Sequence, residues 1–124
     1  MTNVTKDNCI EKVCNLPIDF ILADKSIMTL IEESKFLKFC NDIFLEDIKD
    51  YLSRNRNLIA NWETWSEGKR TLGNYLSISS DAYSVGSLDK NGKENFSKLF
   101  STAEEACAEF ILREIRAILG FNNG

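Results

Sequence analysis

The chain has 124 residues, of which 44% are hydrophobic, with 15 Lys+Arg against 19 Asp+Glu, four Cys and no His. That length and apolar content support one core-forming domain and exclude a fully disordered chain. The missing imidazole excludes any Ser-His-Asp or Cys-His nucleophile pair and any His-ligated metal built from this chain alone, while the net charge of −4 argues against nucleic-acid binding, which depends on basic groups displacing phosphate counterions.

In chain order, Met1 to Asn8 is polar and lacks the apolar run of a signal peptide, so a cytoplasmic location is expected. The apolar stretch Leu16 to Ala23 is broken by Asp19 and falls well short of the roughly 20 residues that span a bilayer. Asp7 to Asn15 reads as a short helix stopped by Pro17. Ser26 can cap a second helix with Ile27, Leu30 and Ile31 on one face. Asn41 or Asp42 can cap a third, in which Phe44, Leu45, Ile48, Tyr51 and Leu52 form an apolar stripe.

From Leu58 onward aromatic and β-branched residues set among polar ones predict strands near 59–66, 71–79, 82–88 and 95–100. Turns are expected at Glu67-Gly68, Ser79-Ser80-Asp81 and Asp89-Lys90-Asn91-Gly92. Connections this short predict an antiparallel meander, with Leu76 and Ile78 on one face of their strand and Tyr75, Ser77 and Ser79 on the other. Ser101 and Thr102 precede Glu104 and Glu105 at capping-box spacing. Ala103, Cys107, Phe110, Ile111, Ile115 and Ile118 then recur at helical spacing until Gly120. The expected fold class is α+β, one domain over 1–124. A helical half, about 1–56, is followed by a four-stranded antiparallel meander and a C-terminal helix packed on the sheet, about 57–120.

Two polar constellations stand out. Asp42, Glu46 and Asp50 are four apart and so stack on one side of the third predicted helix, with Asp47 beside them. Residues 1–53 carry six basic and ten acidic groups (6 − 10 = −4), and residues 54–124 nine of each (9 − 9 = 0). This acidic row is a solvated face, a docking surface for a basic partner or, least in keeping with the missing His, a metal site. In Trp62-Glu63-Thr64-Trp65 followed by Lys69-Arg70, two Trp three apart on a strand project to opposite sides. One of them is then an exposed interface residue, unless both cap the edges of the core. No phosphate-binding glycine loop occurs, no catalytic constellation is singled out, and neither cofactor nor metal is expected. Cys9, Cys14, Cys40 and Cys107 lack paired zinc spacing. They read as reduced thiols, with a regulatory Cys9–Cys14 disulfide as the alternative.

The series Trp62-x-x-Trp65, Lys69-Arg70, Tyr75-x-x-Ile78, Tyr83-x-Val85, Gly92, Phe100-Ser101-Thr102-Ala103-Glu104-Glu105-Ala106 and Phe110-Ile111-Leu112 resembles small immunity proteins of bacterial polymorphic-toxin and contact-dependent growth inhibition systems, over about residues 60–118. The resemblance implies a non-catalytic cytoplasmic protein, monomeric when free, that binds a cognate toxin domain and covers its active site or an essential surface. Read with it, Asp42, Glu46, Asp47, Asp50, Trp62 and Trp65 are the candidate partner-binding residues and the toxin is expected to be basic, in keeping with a nuclease. The alternative is an adaptor or small-ligand module using an aromatic pocket around Trp62, Trp65 and Tyr75.

Overall fold

The computed structural model describes residues 5–68, 73–89, 91 and 93–120. Helices α1 (Lys6–Cys14), α2 (Leu16–Leu22), α3 (Ile27–Ser34), α4 (Phe36–Phe39), α5 (Leu45–Arg54) and α6 (Asn57–Gly68) come first. Strands β1 (Gly73–Ile78), β2 (Tyr83–Leu88) and β3 (Glu94–Phe100) and helix α7 (Ala103–Ile118) follow. The fold class is α+β, as the sequence predicts, with three strands among the described residues in place of four.

The difference lies at 59–66, where a strand is expected and α6 stands. Trp and Ile favour strands only where a pleated, half-buried surface receives them. Here Leu58, Ile59 and Trp62, spaced i, i+1 and i+4, are all buried, with Trp65 packed at the edge of the same cluster. That spacing is one stripe of a helix, so tertiary packing overrides residue preference.

The helical half is also more finely divided than its sequence suggests. Thr5 caps α1, accepting a hydrogen bond from Asn8 N at 3.2 Å while the Asn8 side chain accepts from Thr5 N at 3.3 Å. The helix ends at Asn15, and Pro17 opens a second helix, since the first turn needs no N–H from it. Ser26 caps α3 as expected, its Oγ accepting from Thr29 N at 3.1 Å. Lys35 then takes a left-handed conformation (φ 65°) that turns the chain into α4.

The sheet is a meander in the order β1-β2-β3, both pairs antiparallel. Leu76 faces Val85 in register and both are buried, while Ser77 is exposed. On the opposite face Tyr75 lies across Gly86, where a Cβ would overlap the phenol, and donates its hydroxyl to Glu94. The turn at 79–82 is closed by Ser79 N to Ala82 O at 2.9 Å. The next is organised by the Asp89 carboxylate, which accepts from Asn91 N and Lys93 N at 2.8 and 2.9 Å. Lys90 and Gly92 of that turn, the start of the 71–79 segment at 71–72 and the Lys69-Arg70 pair lie outside the described residues.

Helix α7 sits between the sheet and the helices, packing on all three strands and on α5 and α6. That double contact explains why its buried surface, which adds Ala106, Ala108, Leu112 and Glu114 to the predicted stripe, is wider than one face. Its N-terminus is capped by Thr102, whose hydroxyl accepts from Glu105 N at 3.2 Å. Buried residues of both halves, from Cys9 and Val13 to Phe110 and Ile115, form one cluster. No helix among the described residues is long and apolar enough to cross a membrane.

Candidate functional site

Helix α5 carries the acidic row but starts later than expected. The N-cap is Phe44, not Asn41 or Asp42, and the signal that starts the helix is Asp47, whose Oδ2 accepts from Phe44 N at 2.8 Å. Asp42 falls in a turn before the helix, so only Glu46 and Asp50 keep the four-residue stacking, both exposed. Asp47 is half-buried, and its carboxylate also meets Lys6 Nζ at 3.3 Å. Glu46 lies 3.8 Å from Lys49.

Helix α1 supplies what the row alone lacks. It buries Cys9, Ile10, Val13 and Cys14 towards the core and leaves Asp7 and Glu11, four apart, on its outer side. Because α1 packs against α5, these two acids face Asp47 and Asp50 across a cleft of about 280 Å³, completed by Tyr51 and Arg54. A second cleft, of about 410 Å³, continues from it through the shared Glu11 and Tyr51 to Asn15 and Asp19. The Tyr51 hydroxyl, 3.5 Å from Asn15 Nδ2, stands where the two meet. The lining thus offers five carboxylates (Asp7, Glu11, Asp19, Asp47, Asp50) against Lys12 and Arg54, with Lys6 paired to Asp47 beside them. Carboxylates gathered along a concave surface, here three exposed and two half-buried, concentrate a negative potential, which attracts basic groups more strongly than the same charges on a convex face. Asp7, Glu11 and Asp19 were not distinguishable in the sequence as site residues. The i, i+4 pair of Asp7 and Glu11 on the first helix is the sole signal, Asp19 carries none, and the groove itself needs α1 and α5 side by side.

The tryptophans separate in role. Trp62 is 1% exposed, and its indole Nε1 donates to Cys14 O at 2.9 Å, tying α6 to α1. It is a core residue and offers no surface to a partner. Trp65 is half-buried at the core's edge. Its Nε1 donates to the buried Glu114 Oε2 at 2.8 Å, and its ring meets Phe20 edge-on at 5.6 Å and Trp62 at 6.0 Å. Tyr75 belongs to the opposite sheet face, so the structure does not assemble an aromatic pocket from Trp62, Trp65 and Tyr75.

The four cysteines are free thiols. Burial pushes Cys9 up to about 11 and Cys14 up to about 12, and raises Cys107 as well. Such thiols stay protonated and are poor nucleophiles. Among the described residues no three Cys, Asp or Glu side chains are grouped to hold a metal ion.

No protein family, curated protein or solved structure matches the chain.

Proposed function

We propose that the chain is an immunity protein that binds a basic toxin domain of a contact-dependent growth inhibition or related secreted polymorphic-toxin system and neutralises it by occupation. The observation that carries this reading is the groove between α1 and α5, where five carboxylates converge on a surface that a cationic protein can enter. The resemblance over residues 60–118 adds to it. Charge of one sign in a concave surface accelerates encounter with an oppositely charged partner and fixes its orientation. Inhibition then needs no reaction, only a bound position in which the toxin's active site or an essential surface is covered.

The test is co-production in bacteria with the C-terminal domain of a large secreted protein encoded immediately upstream. The reading expects that domain to arrest growth, this chain to restore it, and the two to copurify. A toxic domain whose arrest is unchanged by this chain, or a genome with no such neighbour, contradicts it.

A further inference from the structure

The acidic groove steers, but charges at an interface rim supply little of the holding energy, which is concentrated in a few desolvated apolar or aromatic anchors. At one end of the groove the structure presents such an anchor. Asp19 lines the groove, and the three residues after it in α2 are Phe20, Ile21 and Leu22, exposed by 42%, 79% and 77%. Leu22 stands one helical turn beyond Asp19, so the apolar residues adjoin the negative surface through Leu22. Beside it Pro17, Ile18, Ile21, Asn61 and Thr64 line a shallow cleft of about 90 Å³ between α2 and α6, with room for part of one partner side chain.

The first residue of the ridge, Phe20, is held in place from below. The Phe20 ring rests edge-on against Trp65 (5.6 Å, 82°), and Trp65 is fixed by its hydrogen bond to Glu114. An anchor whose position is already set loses less freedom on binding.

We propose that Phe20, Ile21 and Leu22 are the hot spot of the docking surface, and that the occupant is a protein presenting an apolar socket rimmed by Lys or Arg. This rests on the toxin-binding reading above and adds where the binding energy is concentrated. Charge complementarity selects the occupant: a basic rim fits the carboxylates from Glu11 to Asp19, whereas a second copy packed ridge to ridge about a two-fold axis would bring two negative grooves together.

The experiment is calorimetric and kinetic titration of the full chain with the catalytically inactivated C-terminal domain of the upstream-encoded protein. Three proteins are compared over a salt series: wild type, Ile21→Ser/Leu22→Ser and Glu11→Lys/Asp50→Lys. The ridge variant replaces side chains already in water, and its thermal melt should match wild type. It is expected to bind at least roughly 10-fold more weakly, through faster dissociation and with the salt dependence unchanged. The groove variant is expected to associate more slowly and to flatten the salt dependence. Wild-type binding with the ridge variant within about threefold of it would overturn the ridge and leave the toxin-binding reading standing. No binding by wild type would overturn both. A wild-type dimer in light scattering that the ridge variant converts to monomer would assign the ridge to self-association and also overturn the proposal.

Discussion

Trp62 shows how one side chain can link distant parts of this chain. Its ring is enclosed by the core, in edge contact with Phe110 at 6.0 Å, and its indole N–H satisfies the Cys14 carbonyl at the end of α1. Trp62→Phe removes that donor, leaves a buried acceptor unsatisfied and vacates the space of a ring, so urea denaturation should show a loss of about 2–4 kcal/mol. A loss below about 0.5 kcal/mol would mean that Trp62 is not a core tie. The buried thiols predict a direction with pH. Because Cys9 and Cys14 titrate near 11 and 12 in the folded chain against 9.0 ordinarily, the folded state keeps protons that the unfolded state releases above pH 9. Their contribution is therefore constant below about pH 9 and is lost as pH rises towards 11 and 12. Stability measured from pH 8 to 11 should fall, and Cys14→Ala should make that fall shallower. An unchanged slope in the variant would contradict the assignment.

At the scale of elements, what the sequence revealed depended on whether the signal was local. Helix α7 was legible at both its start and its course, because Thr102 caps it and its apolar residues recur at helical spacing. Thr102→Ala should cost about 1 kcal/mol in thermal or urea unfolding. Segment 59–66 reads as a strand because Trp and Ile are strand formers, although Leu58, Ile59 and Trp62 fit a helical stripe better than an alternation. Helix α2 is not legible because Pro17 signals a helix end as readily as a helix start, a first-turn proline being also a beginning. For α5 the stripe was legible and the cap was not. Asp47 acts backwards on Phe44 N, whereas the more obvious Asp42 lies outside the helix. The acidic residues consequently separate by experiment. Asp47→Lys should lower stability by roughly 1 kcal/mol through loss of the cap. Asp50→Lys changes an exposed side chain outside the first turn of α5 and should leave the melting curve close to that of wild type. Equal destabilisation by both would contradict the distinction.

For the whole molecule, the charge asymmetry visible in the sequence acquires a location. The excess of acidic residues before residue 54 is not spread along one helix face; part of it converges from α1, α2 and α5 on one groove, bounded at one end by the exposed apolar residues of α2. Sequence alone could mark α5 as acidic, since that needs only a helical period. It could not place Glu11 opposite Asp50, because nothing local specifies that α1 and α5 pack together. The sheet and α7 form the support against which this arrangement is held, with α7 in contact with α5 on one side and the strands on the other. The central claim is that this groove brings a basic toxin domain to the protein. The most direct measurement is growth protection in cells producing the upstream-encoded toxin domain, compared between wild type and Glu11→Lys/Asp50→Lys at equal soluble levels. The account predicts that wild type protects and that the charge-reversed variant loses most of that protection while keeping its fold. Full protection by the folded variant would contradict it.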